Sequence, residues 1–276
     1  MAMRFSKMHG AGNDFVLLDL RAGQIAPDPE LARAIGDRHT GIGFDQLLSI
    51  EKTARTDCVA RYRIWNSDGS LAQQCGNGAR CVAAWLLRDG AVAPPRFRLD
   101  SPAGVIDVEC LSDGRLALDM GRPEFRPALI PFIAAAERAE YELAGEAAAL
   151  RFGAVSMGNP HALIVVDDSA SAPVSALGPW LQRHPSFPEG VNVGFAQILS
   201  RGEIKLRVHE RGAGETLACG SGACAAVAVL VRQGRVDRRV NVHLPGGTLA
   251  IEWPSDSATV RMAGPASFVF EGEWLA

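Results

Sequence analysis

The chain has 276 residues, of which 47% are apolar and 21% charged, with a formal net charge of −3. That length supports one large domain or two of ordinary size, two being the better prior, and the composition excludes a disordered or fibrous chain. So small a charge offers nothing to a polyanion, and no nucleic-acid partner is expected.

The first half reads in chain order as follows. "FSKMHGAGNDFVLLDL" is a Gly/Asn-rich turn and then an apolar strand, Phe15 to Leu20. A short helix from about Pro29 to Gly36, a glycine turn and a strand from Gln46 to Ile50 follow. "RYRIWNSDGS" is a strand ending in a polar turn, and the CGNG turn opens a helix read as Ala79 to Arg88, stopped by "DG". Residues 96–120 read as alternating strands. "MGRPEFRPALIPF", with three prolines, is the best internal boundary. Beyond it, "FGAVSMGNPHALIVVDD" and "FPEGVNVGFAQIL" are again turns followed by strands. "IKLRVHERGAGETLACGSGACAAVAVLVRQG" is a strand, a loop, a glycine turn and a helix. The longest strictly apolar run, Ala223 to Val231, is too short for a bilayer, and the N-terminus lacks a signal-peptide core. A cytoplasmic protein with no membrane partner is expected.

The second half repeats the order of the first. Residues 63–92 set on 207–236 without gaps give ten identities in thirty positions, including Cys75/Cys219, Gly76/Gly220, Gly78/Gly222 and Gly90/Gly234. A two-residue gap elsewhere aligns Asn13 with Asn159 and Gln46 with Asn192, and the ungapped register pairs Asn66 with Glu210. A period of about 145 residues is too long for a solenoid, so two like-folded domains facing each other are expected, with Cys75 and Cys219 looking into the cleft from opposite sides.

Cysteines stand at 58, 75, 81, 110, 219 and 224. In a reducing cytosol they read as metal ligands, catalytic thiols or core residues, and the spacings fit zinc poorly, so no metal is expected. Cys75 and Cys219 each precede G-x-G and a helix, where unpaired backbone N–H groups favour thiolate and bind anions. With an amino-acid Cα between two such sulfurs, one thiolate removes the α-proton while the opposite thiol delivers another to the far face. Donors at the helix ends would stabilise the charge growing on the carboxylate. Only three lysines are present, Lys7, Lys52 and Lys205, none in a motif suited to pyridoxal phosphate, and no phosphate loop or dinucleotide fingerprint occurs. A cofactor-free reaction is expected.

Asn13, Gln46, Asn66, Asn159 and Asn192 offer neutral donors and acceptors, while Glu210 and Arg211 suit an ammonium and a carboxylate, together a zwitterion clamp. Asn and Gly are commoner as turn formers than as ligands, but their recurrence in both halves weakens that reading. Cys58, Cys81, Cys110 and Cys224 are read as structural. His161 is either a cleft residue or a satisfied loop histidine; His9 and His39 are equally open.

The chain resembles diaminopimelate epimerases, through "KMHGAGNDF" (7–15), "DRHTGIGFDQLL" (37–48), "WNSDGSLAQQCGNGARC" (65–81), "MGNPHALIVV" (157–166), "PEGVNVGF" (188–195) and "ERGAGETLACGSGACAA" (210–226). The resemblance implies an α/β (α+β) fold of two pseudo-symmetric lobes, each a curved, mostly antiparallel sheet around a central helix, with the active site in the cleft between them. It implies lobes of 1–121 plus about 263–276, and about 122–262. It also implies a cytoplasmic, usually homodimeric enzyme interconverting LL- and meso-2,6-diaminopimelate without a cofactor, in lysine and peptidoglycan precursor synthesis. Cys75 and Cys219 would exchange proton donor and acceptor roles. Asn13, Gln46, Asn66, Asn159, Asn192, Glu210 and Arg211 would contact substrate, with the Gly76–Asn77 and Gly220–Ser221 turns. His161 and Glu210 would assist the thiols. Phe270 stands where some members have a dimer-interface tyrosine. Inversion of another amino or imino acid such as proline, a redox pair, and a binder without turnover are the competing readings.

Overall fold

The computed structural model describes residues 2–73, 75–144 and 149–275. Two compact units are present, residues 1–119 with 263–276, and residues 120–262.

The first unit holds strands β1 (Ala2–Gly10) and β2 (Asn13–Asp19), helix α1 (Pro29–Gly36), strands β3 (Gln46–Glu51), β4 (Ala60–Asn66) and β5 (Leu71–Ala72), helix α2 (Gly76–Arg88), and strands β6 (Arg96–Ser101), β7 (Gly104–Cys110) and β8 (Leu116–Asp119). β1 is antiparallel to β2, β2 parallel to β3, β3 antiparallel to β4, β4 parallel to β6, and β6 antiparallel to β7. α1 starts where Asp28 accepts the Leu31 N–H at 2.8 Å and Pro29 supplies a preset φ. Its Ala32 and Ile35 pack on Val16, Leu18, Leu47 and Trp65. α2 packs on β1, β2, β3 and β8. Strand β2 is therefore buried on both faces, the reason it reads as a continuous apolar run.

The second unit repeats this plan. It holds β9 (Tyr141–Leu143), β10 (Leu150–Ser156), β11 (Pro160–Val165), α3 (Val174–Gln182), β12 (Asn192–Ser200), β13 (Glu203–Glu210), β14 (Gly214–Thr216), α4 (Gly220–Arg232), β15 (Arg239–Leu244) and β16 (Gly247–Glu252). The sequence of antiparallel and parallel pairings from β10 through β11, β12, β13 and β15 to β16 is that of β1, β2, β3, β4, β6 and β7. α3 closes an aromatic core of Phe132, Tyr141, Phe152, Phe187 and Phe195. α4 is buried on nearly every side, as its uniformly apolar sequence requires. It approaches β10 so closely that a Cβ on Gly153 would sit 2.3 Å from Val229 Cγ1. A last pair of strands, β17 (Arg261–Gly264) and β18 (Ser267–Leu275), carries the chain back into the first unit, where β18 lies antiparallel to β1.

α2 and α4 also end alike. Gly90 and Gly234 take φ of +75° and +71°, and the following N–H groups, of Ala91 and Arg235, reach back to Leu86 O and Leu230 O. The start of α2 differs from the sequence reading: it begins at Gly76, a turn before Ala79, because Cys75 is the extended N-cap residue and its carbonyl accepts the Ala79 N–H.

Candidate active site

In the first unit Cys75 caps α2 with φ −152° and ψ 104°, and its Sγ accepts the Gly78 N–H at 3.4 Å. The thiol also faces Asn13 Oδ1 at 3.7 Å, and Asn77 Nδ2 donates to that same oxygen at 3.4 Å. Asn13 stands at the β1–β2 turn, paired with Gly10. Gln46 and Asn66 are register partners on β3 and β4, and Gln46 Nε2 donates to Asn66 Oδ1 at 3.0 Å. Gln46 Oε1 is buried with no hydrogen-bond partner among the described residues, an acceptor available to a ligand's N–H group. Five expected residues, Asn13, Gln46, Asn66, Cys75 and Asn77, thus lie on adjoining strands and one helix start, with Gly76 between cap and helix.

In the second unit Cys219 holds the same N-cap position on α4, with φ −117° and ψ 109°. Its thiol donates to Glu210 Oε2 at 2.9 Å and lies 3.6 Å from Ser221 Oγ. The other Glu210 oxygen accepts from Thr216 Oγ1 at 2.5 Å. Burial and the Glu210 carboxylate push the Cys219 thiol well above its ordinary range, so it carries its proton at neutral pH. His161 Nε2 lies 2.9 Å from Asn159 Oδ1 and 3.1 Å from Ser221 Oγ. Because an amide oxygen faces it, Nε2 is assigned the ring proton. Burial, aided by the Arg211 charge, lowers the His161 pKa to about 3, so the ring is neutral.

Asn192 and Arg211 are engaged in structural contacts. Asn192, almost wholly buried, donates to Pro160 O at 2.9 Å and accepts the Arg211 N–H at 2.9 Å, tying β11 to the end of β13. The Arg211 guanidinium is exposed, with Nη1 on Glu189 O at 2.7 Å. His161 is paired with Asn192 across β11 and β12, just as Phe15 is paired with Gln46 across β2 and β3. The open reading of His161 resolves to a buried residue bonded to the Cys219 turn; its counterpart in the first unit is Phe15.

Cys81 and Cys224 are fully buried, and none of the six cysteines is in a disulfide. Among the described residues no group of three or more metal-ligating side chains occurs. Sequence reasoning passed over Asp45, Arg80 and Thr216. All three lie inside the motifs quoted above, and Arg80 carried a signal: a lone cation between Ala79 and Cys81, on a helix face that is otherwise small and apolar.

Two like units, each with a cysteine capping its inner helix, place the chain in a fold class shared with known isomerases. It superposes with TM-score 0.71 and 16% identity on a hydroxyproline epimerase from Agrobacterium vitis, over 99% of this chain and 92% of that one. A Bacillus anthracis phenazine biosynthesis protein of the PhzF family gives 0.70 and 15% identity, each chain fully covered. At the sequence level the family model for diaminopimelate epimerase matches residues 5–126 and 153–269. A diaminopimelate epimerase of Xanthomonas axonopodis pv. citri is 58% identical over 99% of this chain and 96% of the relative. One from Xylella fastidiosa strain M12 is 55% identical over the same shares. The chain belongs to the diaminopimelate epimerase family.

Proposed function

We propose that this chain interconverts LL- and meso-2,6-diaminopimelate, with Cys75 and Cys219 acting on opposite faces of one Cα. The observation that carries the reading is the doubled cap: each inner helix starts at a cysteine, and one of the two thiols is hydrogen-bonded to a carboxylate. Glu210 takes the Cys219 proton as substrate arrives. The thiolate left beside the N–H groups of α4 then removes the α-proton. The electron pair stays on the substrate as an enolate-like carboxylate, stabilised by backbone donors at the helix ends. Cys75 gives its proton to the other face, inverting the centre, and solvent exchange through the thiols and Glu210 restores the starting state. In the reverse direction the thiols exchange roles.

Asn13, Gln46, Asn66, Asn159, Asn192 and Arg211, with the Gly76–Asn77 and Gly220–Ser221 turns, hold the substrate's charged ends, and His161 orients Ser221 against Cys219. Lysine placement supports a reaction without pyridoxal phosphate: Lys7 is locked between Asp14 and Gly43 O, while Lys52 and Lys205 are exposed. The reaction serves lysine and peptidoglycan precursor synthesis in the cytoplasm. A homodimer would form through β18, whose Phe268, Val269 and Phe270 are exposed together. No helix among the described residues is long and apolar enough to cross a membrane.

The test is incubation with LL-diaminopimelate in D₂O, following α-deuteration by NMR beside proline as a competing substrate. Deuteration of diaminopimelate alone, lost in Cys75→Ala and in Cys219→Ala, is the expected result. Exchange that survives removal of both thiols overturns the assignment.

A further inference from the structure

The Cys75 turn is the middle of a hydrogen-bond chain whose two ends are fixed by charge. At one end lies Arg80, fully buried and able only to donate; its Nη2 gives a 2.7 Å hydrogen bond to Asn77 Oδ1 and its Nε reaches Pro265 O at 3.2 Å. That bond turns the Asn77 amide so that its Nδ2 points to Asn13 Oδ1. At the other end lies Asp45, able when ionised only to accept; its Oδ2 takes the Asn13 Nδ2 hydrogen at 2.8 Å. Asp45 is itself held by Arg38 Nη2 at 2.8 Å and by the Asp14 N–H at 3.1 Å. Arg38 and Lys7 both bind Asp14, so the acceptor end is braced from β1, from the start of β2 and from the loop before β3.

An amide side chain has two nearly isosteric ends, and what surrounds it decides which end faces a neighbour. Here a donor-only residue and an acceptor-only residue settle the direction for both amides at once. We propose that Asp45 and Arg80 are positioning residues that hold the Asn13 amide with its oxygen, rather than its NH₂, on Cys75 Sγ, so that this cysteine is kept as the proton-carrying thiol. An oxygen facing sulfur accepts an S–H hydrogen bond and opposes the thiolate, whereas an NH₂ group would favour it. Among the described residues the second unit shows no such chain: the positions corresponding to Asp45 and Arg80 are Val191 and Cys224. Its thiol faces the Glu210 carboxylate instead. The two halves have thereby specialised, one to keep a proton ready and the other to lose it.

Among the described residues, Tyr62 and Cys81 interact electrostatically with Cys75, and His9 and Asp14 flank the β1–β2 turn beside Asn13. Tyr62 from β4 and Cys81 from α2 are both pushed up by burial and stay neutral. His9 on β1 accepts the Gly12 N–H through Nδ1, and Asp14 stays ionised beside Arg38 and Lys7.

The use of the chain in catalysis rests on the two-thiol reading, but its effect on Cys75 is read without turnover. In a Cys219→Ala chain, alkylation of Cys75 by iodoacetamide is followed by peptide mass spectrometry across pH, with and without Asp45→Asn. The substituted amide lets Asn13 turn its NH₂ to the sulfur. The expected result is a midpoint lower by about one pH unit and alkylation at pH 7 about three- to tenfold faster. Loss of the Asp45 charge alone is separated by repeating the pair in an Asn13→Ala chain, where the shift disappears if it acts through the amide. An Asp45→Asn chain that follows the parent curve, or one that keeps its shift without Asn13, overturns the proposal. A failed D₂O exchange would overturn the epimerase reading and leave this measurement standing.

Discussion

Glu210 Oε2 accepts the Cys219 thiol at 2.9 Å, and in the duplicated register Glu210 takes the place of Asn66, which instead accepts from Gln46. Equivalent backbone positions thus carry a carboxylate bonded to one thiol in the second unit and an amide bonded to Gln46 and Ser70 in the first. Replacing Glu210 by Gln removes the proposed base but keeps the shape. We expect kcat/KM to fall by about 10²- to 10⁴-fold. The alkylation midpoint of Cys219 should move to lower pH, because the carboxylate that raises its pKa is gone. A midpoint that stays or rises would contradict the role given to Glu210.

His161, with a pKa lowered to about 3 by burial and the Arg211 charge, stays neutral across the physiological range. Its imidazole NMR signals should not titrate between about pH 5 and 8, unlike an ordinary histidine near 6.5. Its folded-state pKa lies below the unfolded one, so the unfolded chain binds the extra proton first. Its contribution to stability is complete above about pH 6.5 and is lost progressively as pH falls toward the folded value.

Asp14 tests the brace beneath the Asn13 turn. Burial alone would raise its pKa, but hydrogen bonds and charge from Arg38 and Lys7 outweigh that and bring it to about 2. A depressed carboxylate stabilises the fold above its unfolded pKa near 3.8, and that stabilisation is lost as pH falls toward 2. Asp14→Asn should remove about 2 kcal/mol at neutral pH and flatten the acid limb of a urea-denaturation series in this window. An unchanged acid limb would mean that the ion pairs add nothing.

The exposed row of Phe268, Val269 and Phe270 on β18 should be covered in a dimer. Phe270 also meets Phe5 edge-on, with centroids 5.8 Å apart, so a polar replacement acts mainly on its outer half. Phe270→Asp should shift the protein to monomer by sedimentation, with little change in far-UV circular dichroism. A wild-type chain that sediments as a monomer would remove the basis for this interface.

How much of this was legible beforehand differs from residue to residue. The doubled Cys-Gly-x-Gly turns and the strands on either side were readable because duplication copies local sequence and local structure together. α1 was readable from Asp28 and Pro29, whose effects operate within one turn. The start of α2 was misplaced by a turn because a cysteine is an uncommon N-cap and glycine-rich sequence reads as loop. Asn192 is expected from the sequence as a substrate contact, whereas the structure shows it in a structural role, with both ends of its amide engaged within the protein.

By itself the sequence determined the two halves, the helices that each cysteine opens, and the polar residues that recur near them, because such patterns arise from neighbours in the chain. Only the tertiary structure decided which atoms face which thiol. Asp45 and Arg80 are 35 residues apart and mean little alone. They become the two poles of one amide chain when β2, β3 and α2 are brought side by side, for hydrogen-bond direction depends on what lies within about 3 Å, not on what lies nearby in sequence.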